Sequence, residues 1–169
     1  MKSSLISIVD DDPFVRQATD ALVRSVGYRT ATFGSAEDFL QSSYVHETTC
    51  VISDVQMPGL SGVDLQRVLI ARGYVTPIIF VTAFPDERIC RKVMEAGAIG
   101  YLTKPFDEES LVQHLRTALA AHDEADSPRH RHVTKADIRA LSKGPVFDPY
   151  QSANTNPTAD KPPARYQHT

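Results

Sequence analysis

The chain has 169 residues, 41% of them hydrophobic and 23% charged, which suits one ordinary packed domain with an appendage and is short for two. A formal net charge of −3 argues against a strongly basic nucleic-acid binder and supplies no polybasic membrane anchor. The opening MKSSLISIVDDD is too short and too acidic downstream for a signal peptide, and no apolar span of membrane length occurs, so a cytoplasmic protein is expected.

Strand and helix patterns then alternate in chain order. A β-rich run at Leu5–Val9 is followed by helical spacing of Phe14, Ala18, Ala21, Leu22 and Val26, with Pro13 where the helix should begin and Gly27 just past its end. A second run, Thr30–Phe33, precedes a shorter helix starting at Ser35, with Asp38 placed as in a capping box. Cys50–Ser53 reads as a buried strand, followed by helical spacing of Leu65, Val68 and Leu69 that stops at Gly73. Ile78–Thr82 is a further strand; Pro85 should open the helix carrying Ile89, Val93 and Ala96, which ends at Gly97. Ile99–Thr103 and a helix through Leu111, Leu115, Ala118 and Leu119 complete the series. Successive βα units predict an α/β fold: a doubly wound, five-stranded parallel sheet with helices on both faces and right-handed crossovers.

From His122 the periodicity stops. The remaining stretch holds six of the eleven prolines and has the composition of a disordered tail, with one short capped helix conceivable at Thr134–Ser142. The expected organisation is therefore a domain over residues 1–121 and a Pro-rich polar tail over 122–169. Cys50 and Cys90 share no metal or redox spacing and read as reduced, incidental cysteines. His130 and His132 suggest a metal only weakly; a solvated tail accounts for them.

In open α/β sheets, ligands bind beyond the carboxyl ends of the strands. Those ends carry Asp10 and Asp11 after the first strand, Asp54 on the third, Thr82 on the fourth, and Lys104 with Pro105 after the fifth. An Asp at one strand end is ordinarily a cap or turn former. Several polar strand ends on one rim are a different matter. Two carboxylates ~4 Å apart repel by roughly 4 kcal/mol at an effective dielectric of about 20, so a cation or protons must relieve such a cluster. Mg²⁺ is the natural cation, because it takes one or two carboxylates, keeps waters and shares a phosphate oxygen. No His or Cys lies at a strand end, which disfavours zinc. A carboxylate placed there can attack phosphorus, with Lys104 neutralising charge and the Thr82 hydroxyl donating to a phosphoryl oxygen. Asp12, directly before Pro13, is the better helix cap and leaves the acidic pair free.

The stretches IVDDDPFVR, SDVQMPGLSG, FVTA and GYLTKPF, in this order and spacing, resemble the receiver domain of two-component response regulators over residues 5–121. The resemblance implies a flavodoxin-like sheet of order 2-1-3-4-5. It implies that Asp54 is the phosphoacceptor and that Asp10, Asp11, Asp54 and the Gln56 carbonyl hold Mg²⁺. Thr82 would be the switch hydroxyl, Lys104 the phosphoryl-contacting cation and Tyr101 the switch aromatic, with a cis Lys104–Pro105 bond. Gln56 and Phe84 occupy positions that set the phosphoryl lifetime in the family, and Phe84 is bulky enough to shield the site. A sensor histidine kinase or histidine phosphotransfer protein would be the donor, and catalysis would be limited to the chain's own aspartyl phosphorylation and dephosphorylation. Aspartate-nucleophile phosphatases carry a second carboxylate two residues on, a place that Gln56 holds here, which disfavours a hydrolase.

For output, the expectation is contact with a downstream protein target, with a homodimer through the helix 4–strand 5–helix 5 face as a family option. A tail that contacts nucleic acid through RHRHVTK is the alternative. The tail's near-balanced charge, Arg129, Arg131, Lys135, Arg139, Lys143, Lys161 and Arg165 against six acids, argues against it.

Overall fold

The computed structural model describes residues 4–125. The expected tail beyond that point, including the helix expected at Thr134–Ser142, lies outside the described residues. Five parallel strands, β1 (Leu5–Val9), β2 (Arg29–Phe33), β3 (Thr48–Asp54), β4 (Ile78–Thr82) and β5 (Gly100–Thr103), form one sheet in the order β2-β1-β3-β4-β5. Helices α1 (Pro13–Ser25), α2 (Ala36–Gln41), α3 (Gly62–Ala71), α4 (Glu87–Glu95) and α5 (Glu108–Ala125) connect and follow them. The order is the expected one, and it puts β1 and β3 side by side.

Alternation along the strands sorts the core into two layers. Ile6, Ile8, Ile52, Ile79 and Val81 face one way and pack with Val23 of α1 and Leu111, Leu115 and Ala118 of α5. Val9, Val51, Ile78 and Phe80 face the other way and pack with Phe39 of α2, Leu65 and Leu69 of α3 and Val93 of α4. Each fully buried Leu, Ile or Phe stabilises the fold by ~1.5–3 kcal/mol, so the sheet is fixed from both sides. Gln66 of α3 is buried within the second layer and satisfies its amide by donating to the Val93 carbonyl at 3.1 Å, tying α3 to α4.

Local chemistry sets the helix ends. Pro13 opens α1, and Asp12 caps it by accepting from the Phe14 and Val15 N–H groups. The glycines expected after helices, Gly27, Gly73 and Gly97, all have positive φ, at 92°, 79° and 96°. Pro85 does not open α4: the helix starts at Glu87, and Asp86, one residue past the proline, is its cap. At α2 the Ser35 side chain accepts from the Asp38 N–H. The reciprocal capping box occurs instead at α3, where Ser61 and Asp64 bond each other's backbones. A short 3-10 turn at Ser43–His46 has no apolar period and went unforeseen. Cys50 is buried and unpaired, and desolvation pushes its thiol far above the ordinary range. Among the described residues no helix is long and apolar enough to cross a membrane.

Candidate functional site

The register makes the site. Val9 lies opposite Ser53 in the β1–β3 pair and Asp54 opposite Val81 in the β3–β4 pair. The chain therefore leaves β1 at Asp10 beside the last residue of β3, Asp54. Thr82 pairs with Thr103, and the Lys104 N–H donates to the Thr82 carbonyl at 2.7 Å, which brings the end of β5 to the same rim. The Lys104–Pro105 bond is cis.

Asp10, Asp11 and Asp54 each turn a carboxylate oxygen into one cluster, with these oxygens within 4.8 Å of one another. Asp10 and Asp54 are buried, while Asp11 faces solvent. Lys104 closes the cluster from the far side: its Nζ donates to Asp10 Oδ2 at 2.7 Å and to Asp54 Oδ2 at 3.0 Å, with only 13% of its side chain exposed. Backbone donors hold the other oxygens. The Asp12 N–H donates to Asp10 Oδ1 at 2.9 Å, and the Gln56 N–H to Asp54 Oδ1 at 3.2 Å.

The electrostatics follow from this crowding. Burial raises the Asp10 carboxyl above its ordinary value, and this outweighs the bonds from Lys104 and Asp12 that act to lower it. Burial draws the Lys104 ammonium down, but its bonds to Asp10 and Asp54 outweigh that, so it sits above its ordinary value. One ammonium, bonded to Asp10 and Asp54, stands against three carboxylates, which leaves the cluster net negative. An oxygen-only donor set of this sign, open to solvent at Asp11, fits a hard divalent cation such as Mg²⁺ and offers nothing to a thiophilic one.

The remaining expected residues are arranged differently. Thr82 is fully buried, and its hydroxyl is engaged with the backbone of Phe84, not with the carboxylates. Tyr101 is half-buried against the core, and its hydroxyl accepts the Asp86 N–H at 3.3 Å, next to the start of α4. Tyr101 thus packs as a core aromatic while its hydroxyl contacts the loop ahead of α4. Phe84 is 70% exposed and does not cover the cluster. Gln56 is exposed beside Asp54.

Two supporting residues escaped the sequence reading. Arg16, one turn into α1, donates from Nη1 to the Asp10 carbonyl at 2.5 Å; a single arginine in an amphipathic helix carries no mark of that role. Gly62 opens α3 where a Cβ would overlap the Asp54 carbonyl oxygen, and its N–H donates to the Val55 carbonyl at 3.0 Å. The glycine after LS was visible in the sequence, but its packing against the end of β3 is a tertiary contact.

This geometry has known counterparts. The response regulator TmoT of Ectopseudomonas mendocina is 42% identical over 144 residues, covering 84% of this chain and 65% of TmoT, so the chain spans less than two thirds of that relative. The transcriptional regulatory protein FixJ of Bradyrhizobium diazoefficiens is 32% identical over 153 residues, covering 81% of this chain and 75% of FixJ. The crystal structure of FixJ-N superposes with a TM-score of 0.64 at 28% identity, covering 71% of this chain and 96% of that one. Residues 6–116 match the response regulator receiver domain model, and the chain belongs to that family of signalling domains.

Proposed function

We propose that Asp54 accepts a phosphoryl group from a phosphohistidine on a sensor kinase or phosphotransfer protein. The observation that carries this is the Lys104 ammonium bridging Asp10 and Asp54 at 2.7 and 3.0 Å, within a cluster of three carboxylates. An Asp54 carboxylate oxygen forms the new bond to phosphorus; the P–N bond of the donor breaks, and its electron pair returns to the imidazole. Hydrolysis later releases inorganic phosphate and restores the carboxylate. Asp10, Asp11, Asp54 and the Gln56 carbonyl would hold Mg²⁺, which would neutralise charge on the phosphoryl oxygens. Lys104 exchanges its contact with Asp54 Oδ2 for a phosphoryl oxygen and keeps Asp10. Thr82 donates its hydroxyl to another phosphoryl oxygen, and Tyr101 follows it. The face built from α4, β5 and α5 then changes its affinity for a protein target or a second copy.

The receiver, expected over residues 1–121, runs in this reading to the end of α5 at Ala125, and the rest of the stretch expected as tail over 122–169 is an appended polar segment. Intact mass after incubation with a small phosphoryl donor and Mg²⁺ tests it: one added phosphoryl group in wild type, none in Asp54→Asn and none without metal. Addition that persists in Asp54→Asn would overturn the assignment.

A second output is favoured by one finding. FixJ is named a transcriptional regulatory protein. The charge balance of the tail, taken alone, argues against nucleic acid, whereas the name of that relative favours such an output. DNA binding that falls with salt and is lost on removing residues 122–169 would support it. Binding to a protein target alone would leave the first reading in place.

A further inference from the structure

Glu37 stands in the first turn of α2 and reaches the loop between β3 and α3, where its Oε1 accepts the Leu60 N–H at 2.9 Å. Its Oε2 is buried without a hydrogen-bond partner. That is a costly place for a carboxylate oxygen, so the residue does not sit there for its own solvation. The neighbouring Gly59 has φ 75°, and a Cβ on it would overlap Glu37 Oε1. The loop backbone therefore lies flush against this carboxylate.

The loop is secured at its ends by other means. The Val55 N–H donates to the Val81 carbonyl at 3.0 Å, and the Ser61–Asp64 capping box fixes the entry to α3. Between them, Gln56 is bonded only locally, to Asp54. Among the described residues, the Glu37–Leu60 bond is the one hydrogen bond tying residues 56–60 to an element other than β3, whose last residue, Asp54, takes the Gln56 N–H. Whatever direction the Gln56 carbonyl takes is thus set partly by a side chain from α2.

We infer that Glu37 is a positioning residue for the cation site: it holds the loop so that the Gln56 carbonyl faces the acidic cluster. The inference rests on the reading of Asp54 and Gln56 given above. Glu37 itself is not a ligand, because it does not belong to the cluster formed by Asp10, Asp11 and Asp54. Loss of residues that orient a ligand commonly weakens metal binding on the order of tenfold.

The test is a Mg²⁺ titration of the full ¹⁵N-labelled chain, followed at its backbone amides, for wild type, Glu37→Gln, Glu37→Ala and Glu37→Asp. Gln keeps an acceptor for Leu60 and should leave the midpoint unchanged. Ala removes the acceptor, and Asp keeps the charge but falls short by a methylene; both should raise the midpoint by about tenfold. A Glu37→Gln midpoint raised as far as that of Ala would show that charge, not the bond to Leu60, is responsible, and would overturn the inference. Should Ala fail to fold, Gln and Asp still decide it, since Asp equal to wild type also overturns it. If wild type shows no saturable Mg²⁺ shift at Asp54, the parent reading falls and this one with it. If wild type binds Mg²⁺ and gains a phosphoryl group while Ala and Asp keep the wild-type midpoint, only the role of Glu37 falls.

Discussion

Thr82 and Phe84 hold each other in a closed pair: the Phe84 N–H donates to Thr82 Oγ1 at 3.1 Å, and the hydroxyl donates back to the Phe84 carbonyl at 3.2 Å. The hydroxyl that would serve a phosphoryl group is thus already spent on the β4–α4 loop. One residue past Pro85, the Tyr101 hydroxyl takes the Asp86 N–H. Two side chains from the sheet therefore hold the start of α4 by its backbone. Drawing Thr82 toward Asp54 has to release the loop at Phe84, which links chemistry at the rim to the position of α4.

Thr82→Ala removes the first of these holds. Losing a hydrogen bond at a buried position should lower unfolding free energy by about 1 kcal/mol, read from urea denaturation. Phosphorylation of Asp54 should persist, because neither Lys104 nor the acids lose a partner. Binding of a target to the α4–β5–α5 face should become the same with and without phosphorylation. A variant that still discriminates the two states would show that Thr82 does not couple them.

Gly62→Ala tests how tightly α3 is docked on the end of β3. Helix propensity alone predicts a gain of up to about 1 kcal/mol from replacing glycine by alanine. The structure predicts the opposite sign, since the new methyl would overlap the Asp54 carbonyl oxygen, which belongs to backbone and cannot swing away. A net loss of roughly 1–3 kcal/mol is expected, with weaker phosphorylation because the strain falls on Asp54 itself. Equal or greater stability in urea would contradict the observed packing.

The acidic cluster should cost stability until a cation joins it. Replacing Asp10 by Asn removes one negative charge from a set that has one ammonium for three carboxylates. Without metal, this variant should unfold at a higher urea midpoint than wild type. Wild type should gain about 2.7 kcal/mol when Mg²⁺ is present at about a hundred times its dissociation constant, and the variant should gain much less. The two midpoints would then change order. Failure of Mg²⁺ to stabilise wild type would remove the cation from the site.

Much of this arrangement could be read before any coordinates. The parallel βα series, the helix-terminal glycines and the polar strand ends depend on local period or on a rule of topology, and those survive in one dimension; the strand order came from the family resemblance. Pro85 shows the limit: proline marks a helix start within a residue or two, and Asp86 was a better cap because its carboxylate reaches the Arg88 and Ile89 N–H groups. Thr82 shows another. Its identity was plain, but a hydroxyl in a loop can satisfy itself locally, and only the structure shows that it has done so. Arg16, Gly62 and Glu37 act through contacts with chain that is remote or around a corner, which no spacing encodes. Phe84 is bulky enough to shield the cluster, but its ring is 70% exposed to solvent beyond the turn closed by Thr82.

Acid should loosen the helix starts through the carboxylates that hold them. Bonds from Ser61 hold the Asp64 carboxyl below its ordinary value of 3.8, bonds from the Ile89 and Arg88 N–H groups do the same for Asp86, and bonds from Ser110 do so for Asp107. A carboxyl whose folded value is depressed adds stability that is fully present above its unfolded value and disappears as pH falls through the folded one. All three therefore contribute at neutral pH, and their contribution declines as the pH drops below about 3.8. They sit at the first turns of α3 and α4 and just ahead of α5, the helices that border the site. Replacing all three by Asn, which offers an amide oxygen without titrating, should flatten the fall in urea midpoint between pH values of about 5 and 2, chiefly by lowering the neutral midpoint toward the acid one. An acid limb as steep as that of wild type would place the acid sensitivity elsewhere, in carboxylates the caps do not include.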